Sequence, residues 1–314
     1  MNHLHILSQI LGVTAPVFAM VLMGLLLRRV QLINDSFIQV ASTLTYKATM
    51  PTLFFLSIWQ ADLQSAFNAR LVFYFCMATL VGFAASWWWA IHAVQREQRG
   101  VFVQGAFRGN CGVVSFALVA SYYGDYGLSV GGVLVGFSIL LFNVLSVLIL
   151  SIYSPTLKFS PTMVGKELAR NPLIVAVVLG MLASAIGLYI PQWLLKSAEY
   201  FAGLTLPLAL ICVGGTLSLA GIKASGPAAI QSSFIKVAAL PVLACAVAWA
   251  LGFSGPELVV LWMFFASPTA AASFAMAVAA GGDGRLAANI IALTTLVSIA
   301  SITLGIYALK AMGH

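Results

Sequence analysis

The stretch FRGNCGVVSFAL, residues 107–118, interrupts a long run of apolar residues. Its first six positions contain an arginine, two glycines and an asparagine. Glycine weakens a helix, and polar or charged side chains are costly to place in the hydrocarbon of a bilayer. We therefore interpret this stretch as a functional interruption of a membrane helix.

The composition is that of a polytopic membrane protein. The 314-residue chain is 61% hydrophobic and 7% charged, whereas soluble domains contain about 25% charged residues. A membrane helix needs about 20 mostly apolar residues. Ten segments meet this requirement and predict an all-α protein with ten transmembrane helices embedded in a lipid bilayer. These predicted spans are 7–27, 37–59, 70–92, 101–122, 128–152, 171–189, 193–219, 233–253, 258–280 and 286–309.

The cysteines and histidines predict neither a disulfide nor a metal site. The four cysteines all fall within predicted spans, and the chain has no CxxC motif. The four histidines lie at segment ends or near the termini, away from any serine or cysteine in the middle of a span. We therefore expect no metal, no cofactor and no catalytic residues.

The basic residues are unevenly distributed between the two predicted sides of the membrane. Three lie on one side (Arg70, Lys196 and Lys310), ten lie on the other, and Lys47 and Arg108 fall within spans. The positive-inside rule predicts that the ten lie in the cytoplasm and that both termini face outward. The net charge of +7 is then no sign of nucleic-acid binding. The ten residues are Arg28, Arg29, Arg96, Arg99, Lys158, Lys166, Arg170, Lys223, Lys236 and Arg285.

Comparison of the chain with itself indicates an internal repeat. With a shift of 158 residues, SFALVASYYGD (115–125) coincides with SFAMAVAAGGD (273–283) in Ser, Phe, Ala, Gly and Asp. A similar shift of 156 residues relates an earlier block. There it superimposes Pro16 on Pro172, Gly24 on Gly180, Thr49 on Thr205 and Pro51 on Pro207.

Each copy of the repeat contains five predicted spans, so the second copy enters the membrane from the opposite side. We predict a first repeat over residues 1–152, a cytoplasmic linker over 153–170 and a second, inverted repeat over 171–314. Inverted repeats are common in secondary transporters. Channels, and gene duplications unrelated to transport, remain alternative explanations of the repeat.

The repeat pairs the opening stretch with FFASPTAAASFAM, residues 264–276. A proline inside a helix removes a backbone donor and clashes with the preceding turn. Both interruptions lie roughly 15 Å into their spans, near the bilayer centre, where paired half-helix ends favour an anion. A packing kink would explain either interruption alone, but two at equivalent positions predict a binding site. Its predicted residues are Arg108, Asn110, Cys111, Gly112, Ser267, Pro268 and Thr269.

A second matched pair, Pro51 and Pro207, predicts interruptions in the second and seventh spans and adds both prolines to the candidate site. Lys47 precedes Pro51 by one turn, at a depth comparable to that of Arg108. We expect at least one of these two cations to face the substrate. Because no acidic residue lies at matching depth, we expect an anionic substrate, moved by uniport or exchange.

Several of these motifs resemble the auxin efflux carrier family, which includes bacterial permeases and plant PIN-type transporters. The likeness covers nearly the whole chain. It rests on the five-plus-five layout and on the motifs MPTLFF, GNCGVV, RNPLIVAVVLG and SPTAAASFAMA.

The resemblance implies a scaffold from spans 1, 2, 6 and 7, and a transport domain in which broken helices 4 and 9 cross. It further implies a homodimer that moves small organic anions, such as malate, malonate or indole-3-acetate, by an elevator-like alternating-access mechanism. Asn110 matches the family's crossover asparagine, and Pro268 matches its second crossover proline. The fourth span departs from the family because Gly109 and Gly112 stand there instead of a proline. The short linker favours a bacterial permease, which implies a location in the plasma (bacterial inner) membrane with both termini in the periplasm.

Three other functions are compatible with parts of the sequence. The motifs GGDG (281–284) and YGDYG (123–127) are similar to the GxGD site of intramembrane aspartyl proteases, but both lack the first glycine. Their aspartates also lie on opposite predicted sides of the membrane. A channel would need rings of repeated polar residues, which the sequence lacks. A membrane-embedded anion sensor would bind a ligand without flux.

Overall fold

The computed structural model describes residues 3–60, 68–154, 169–217 and 226–313, together with residues 162 and 165. Most of the predicted linker 153–170 lies outside the described residues, as do Lys158, Lys166 and Lys223. The described part of the chain is helical and contains no β-strand. Its α-helices are α1 His3–Arg29, α2 Asp35–Leu44, α3 Met50–Gln60, α4 Ala69–Ala93, α5 Arg96–Phe107, α6 Phe116–Tyr153, α7 Pro172–Ala185, α8 Gln192–Gly203, α9 Thr205–Gly215, α10 Pro227–Phe234, α11 Leu240–Ala250, α12 Pro256–Phe265, α13 Ala272–Ala279 and α14 Gly284–Ala311.

The described residues contain six helical stretches long and apolar enough to cross a membrane, so the prediction of an all-α membrane protein is confirmed. Shorter or interrupted helices occupy the remaining predicted spans, and α7 and α12 are apolar but have fewer residues. The six long stretches are Ile10–Arg29, Ala69–Ala93, Cys111–Tyr153, Gln192–Gly215, Pro227–Ala250 and Gly284–Ala311.

The described residues contain three short π-helical segments, each of which leads directly into an α-helix. Thr45–Thr49 joins α2 to α3, Cys111–Ser115 leads into α6, and Ile235–Ala239 joins α10 to α11. A proline follows the first and third segments closely, at Pro51 and Pro241, and its missing N–H explains the widened turn before it. A single turn at Leu204, shortly before Pro207, separates α8 from α9.

The stretch α6, Phe116–Tyr153, contains a sharp break at Gly124. Gly124 has φ 56° and ψ −133°, which are not helical values and which a residue without a side chain adopts at little cost. A Cβ atom at Gly127 would lie 2.1 Å from the carbonyl oxygen of Val119, so the chain folds back on itself around this break. Two helices therefore meet near Gly124, where the sequence predicts the connection between the spans 101–122 and 128–152.

Glycines allow two pairs of helices to pack with their backbones close together. A Cβ atom at Gly24 of α1 would lie 2.1 Å from the carbonyl oxygen of Ile211 in α9. A Cβ atom at Gly214 of α9 would lie 1.8 Å from the carbonyl oxygen of Val21. Gly180 of α7 similarly lies against α3, where a Cβ atom would be 3.0 Å from the Phe55 carbonyl oxygen. Helix association in membranes depends on small residues at such contacts.

We predict that Gly24→Val destabilises the protein because the added side chain overlaps the α9 backbone. Overpacking of this kind costs about 1–3 kcal/mol, so the unfolding temperature of the purified protein should fall by several degrees. Gly12→Val is the matched control on the same helix, since a Cβ atom at Gly12 meets nothing within 4 Å. Equal unfolding temperatures for the two variants would contradict this packing of α1 against α9.

Candidate functional site

The two interruptions predicted from the sequence lie against each other. The backbone N–H of Asn110 donates to the Pro268 carbonyl oxygen at 2.7 Å, and the N–H of Ala270 donates to the Arg108 carbonyl oxygen at 3.2 Å. Gly109 and Thr269 form an antiparallel bridge between them. We call residues 108–110 and 268–270 the paired segments. Their mutual hydrogen bonds supply partners that the broken helices cannot, which a membrane interior requires.

Gly109 permits this close approach. A Cβ atom at Gly109 would lie 2.4 Å from the hydroxyl oxygen of Ser267 and 3.2 Å from the ammonium nitrogen of Lys236. The glycine is therefore required by the small space between the segments. Gly112 is different, because a Cβ atom there would have its nearest neighbour, Val135, at 3.7 Å.

Side-chain hydroxyl groups cap the helices that end at the paired segments. At the end of α5, the hydroxyl of Thr269 donates to the Gly105 carbonyl oxygen at 2.7 Å. At the end of α12, the hydroxyl of Ser115 donates to the Met263 carbonyl oxygen at 3.0 Å, and that of Ser267 donates to the Phe264 carbonyl oxygen at 2.8 Å. These bonds satisfy carbonyl groups that a helix end leaves open.

A cavity of about 400 Å³ opens beside the paired segments. Arg108 supplies a positive charge to its lining, and no aspartate or glutamate lines it among the described residues. The starts of the Cys111–Ser115 segment and of α13 both border the cavity, so the positive ends of their backbone dipoles face it. The lining residues include Ser42, Thr45, Tyr46, Met50, Arg108, Gly109, Asn110, Cys111, Gly112, Phe142, Leu173, Cys212, Thr216, Ala270 and Ala272.

The guanidinium of Arg108 is held by neutral side chains of α6. Arg108 is 8% exposed and donates to the hydroxyl oxygen of Ser146 and to the amide oxygen of Asn143, each at 3.0 Å. The sequence analysis missed both partners. Their spacing of three residues in an apolar helix, which places them on one face, was the available signal. These hydrogen bonds hold the guanidinium group at the cavity wall.

The predicted site residues fall into three groups. Arg108, Asn110, Cys111 and Gly112 line the cavity. Three others, all in the second interruption, are buried beside the cavity and help to form the paired segments. The last three are not among the lining residues; Lys47 and Pro207 are exposed and Pro51 is half-buried. The buried group is Ser267, Pro268 and Thr269, and the non-lining group is Lys47, Pro51 and Pro207.

Lys236 lies at the site although the sequence analysis assigned it to the cytoplasmic side. It is 1% exposed, and its ammonium group donates to the Phe265 carbonyl oxygen at 2.6 Å. That assignment is wrong because the predicted span began at residue 233, whereas α10 begins at Pro227. A proline after Gly226 is a helix-start signal that would have placed Lys236 in mid-span.

A second and larger cavity, of about 1060 Å³, lies between α4 and the helices α10 and α11. Phe73, Trp88, Leu243 and Val247 are among the apolar side chains that dominate its lining. Arg70 and Gln231 also line it, but Arg70 donates to the Leu251 carbonyl oxygen and Gln231 accepts from Trp89, so these polar groups join helices and do not converge on a small ligand. The smaller cavity is therefore the candidate site.

A family model described as a membrane transport protein matches this chain over residues 9–159 and 154–306. The chain belongs to this family. The resemblance to the auxin efflux carriers is thereby confirmed, and the family is one of transporters rather than enzymes. The protein is accordingly an integral membrane transporter.

Two archaeal relatives align with this transporter over almost its whole length. An uncharacterized transporter of Methanothermobacter thermautotrophicus is 23% identical over 291 residues, which cover 92% of this chain and 94% of the relative. An uncharacterized transporter of Methanocaldococcus jannaschii is 22% identical over 309 residues, which cover 94% and 97%. The similarity to these two proteins therefore extends over nearly the whole chain and is not confined to one segment.

We predict that Gly109→Ala destabilises the transporter because its Cβ atom overlaps Ser267. Gly112→Ala is the matched control, since it makes only ordinary van der Waals contacts. The thermal unfolding temperature should fall by several degrees for Gly109→Ala and stay near that of the parent for Gly112→Ala. A Gly109→Ala protein as stable as the Gly112→Ala protein would show that the paired segments do not approach this closely.

Proposed function

We propose that this transporter is a uniporter or exchanger that moves a small organic anion across the plasma membrane. The observation that carries the proposal is the cavity beside the paired segments, which Arg108 and Asn110 line and which no carboxylate lines in the part of the chain that the structure describes. A positive side chain, a side-chain amide and two positive helix ends form a site for a carboxylate group.

The charge of the cavity narrows the substrate class. Lys47 is exposed and does not line the cavity, so the two-cation argument from the sequence reduces to Arg108. A single guanidinium can hold one carboxylate in a bidentate arrangement. Met50, Phe142 and Leu173 provide an apolar wall for the rest of the molecule. We therefore favour a carboxylate with an apolar body over a dicarboxylate such as malate or malonate.

We further propose ten membrane spans arranged as two inverted repeats, residues 1–152 and 171–314. The glycine contacts support this arrangement. Gly24 and Gly180 are equivalent under the 156-residue shift, and so are α9 and α3. Gly24 lies against α9, and Gly180 lies against α3. Gly24 of the first repeat thus contacts a helix of the second repeat, and Gly180 of the second repeat contacts the equivalent helix of the first. Two repeats related by a twofold axis make such a pair of equivalent contacts.

Contacts near the ends of the helices support the alternation of the ten spans. On the proposed outer side, Asn68 donates to Glu257 at 2.6 Å. On the proposed cytoplasmic side, Gln98 donates to Asp283 at 3.0 Å. Each pair joins loops that ten alternating spans would bring to the same face. Moving Lys236 into a span leaves nine basic residues on the cytoplasmic side against three outside, so the orientation stays as proposed.

The proposed alternating-access mechanism divides the helices into a fixed group and a moving group. We propose that α1–α3 and α7–α9 form a scaffold, and that the remaining helices carry the paired segments past it in an elevator-like movement. The cavity supports this division, because Met50 of α3 and Cys212 of α9 line it together with Arg108. We propose a homodimer on the strength of the family resemblance. In uniport, an inside-negative potential drives a monoanion outward by about 2.3 kcal/mol per 100 mV.

Transport can be tested with purified protein in liposomes on a solid-supported membrane, which records substrate-induced current. In buffer without sodium, we expect a saturable current for some members of a panel of mono- and dicarboxylates. Arg108→Gln and Asn110→Ala should each reduce it at least tenfold, because each removes a polar group from the cavity wall. Lys47→Gln, the matched control for loss of a positive charge, should retain the parent current.

Equal losses in Arg108→Gln and Lys47→Gln would contradict the assignment of the site to this cavity. Substrate binding without any current or tracer uptake would instead indicate a sensor. Single-channel conductance steps would indicate a channel.

The orientation can be tested with reporter fusions in a bacterial host. Alkaline phosphatase fused to the C-terminus should be active, because it folds only in the periplasm. Green fluorescent protein inserted in the linker 153–170 should fluoresce, because that linker is proposed to be cytoplasmic. An inactive phosphatase together with a fluorescent C-terminal fusion would reverse the proposed orientation.

A further inference from the structure

Lys236 occupies an unusual position for a lysine in a membrane protein. It lies in the π-helical segment between α10 and α11, is 1% exposed, and donates to the carbonyl oxygen of Phe265 at 2.6 Å. Phe265 is the last residue of α12, so the ammonium group contacts the negative end of a broken helix. A charged residue at such depth is costly unless it has a function or a partner of opposite polarity.

The ammonium group also lies against the centre of the paired segments. Its nitrogen would be 3.2 Å from a Cβ atom at Gly109, which forms the backbone bridge with Thr269. The hydroxyl of Ser267 would contact the same Cβ atom. The positive charge of Lys236 is therefore placed where the two interruptions meet, behind the cavity lining rather than in it.

Capping alone does not require a cation at this place. Neutral donors, Thr269, Ser115 and Ser267, cap the Gly105, Met263 and Phe264 carbonyl groups at the same two helix ends. Phe265 differs from these in having an ammonium group as its donor. A neutral donor could make the hydrogen bond to Phe265, so the positive charge of Lys236 needs a separate explanation.

Carriers with broken helices use this kind of place to bind a coupling ion. Unwound backbone carbonyl groups and the C-terminal ends of half-helices coordinate sodium or a proton in such proteins. Here the corresponding helix end, at Phe264 and Phe265, already has a cation attached to the chain.

We propose that Lys236 is a tethered cation that occupies the place of a free coupling cation at the end of α12. The inference rests on the proposed carrier function and deepens it by assigning the coupling. The transporter then works without sodium, and removal of the ammonium group opens a cation site formed by the carbonyl oxygens of Phe264 and Phe265 and the hydroxyl of Ser267. Lys236 acts as a positioning residue, because its charge keeps the α12 end in place beside the cavity.

The test is thermal unfolding of the full-length protein in detergent, with sodium chloride replacing choline chloride at constant ionic strength. Choline is too large to enter a site the size of an ammonium group. Lys236→Ala should unfold at a lower temperature than the parent in choline. Sodium should then raise its unfolding temperature saturably, by roughly 5 °C at about 100 times the dissociation constant. The parent protein should show no saturable response to sodium.

Lys47→Ala is the matched control, since it removes an exposed lysine from a π-helical segment of the same length. Lys236→Met retains most of the apolar stem and serves where Lys236→Ala is too unstable to purify. The proposal is overturned if neither Lys236 variant responds to sodium, or if Lys47→Ala shows an equal response. Because the assay needs no substrate, its outcome is independent of the anion-transport experiment.

A measurement on the parent protein completes the test. Its substrate-induced current should have the same amplitude in sodium and in choline. A current that requires sodium in the parent would overturn the tethered-cation proposal while leaving the transport function intact.

Discussion

The hydrogen bonds between the paired segments are the interaction on which the rest of the structure depends. A helix broken inside a bilayer leaves backbone N–H and C=O groups without partners, and each costs several kcal/mol in hydrocarbon. Two such breaks can satisfy each other only if they lie side by side. Asn110 with Pro268 and Arg108 with Ala270 provide this pairing. The absence of a Cβ atom at Gly109 makes the distance possible.

The same pairing explains why a cavity with polar walls exists within an apolar protein. Because the backbone is unwound at residues 108–110, Arg108 and Asn110 lie close together in the chain and both line the cavity. Asn143 and Ser146 then hold the guanidinium, and hydroxyl groups close the helix ends. The starts of the following helical segments border the cavity with their positive ends. The residues that provide hydrogen-bond partners for the broken helices thus belong to the same part of the chain as the residues that we propose to bind an anion.

The sequence predicts this arrangement unevenly, and the differences have physical causes. The two interruptions are visible in it, because Gly and Pro act locally on the helix that contains them. Which side of a helix a residue occupies depends on packing against other parts of the chain. Lys47 was therefore expected at the site and is exposed. Lys236 was expected in the cytoplasm and is buried, because the start of α10 was misplaced by six residues. The sequence does not predict that Asn143 and Ser146 bind the guanidinium group, because this depends on the packing of α6 beside Arg108.

The most direct test of the central claim is a cryo-electron-microscopy structure of the transporter in a lipid nanodisc, with the carboxylate that gives the largest current. The account predicts ligand density in the cavity beside the paired segments, with its carboxylate in contact with Arg108 and Asn110. Ligand density in the larger apolar cavity between α4 and α11, with the smaller cavity unchanged, would contradict it.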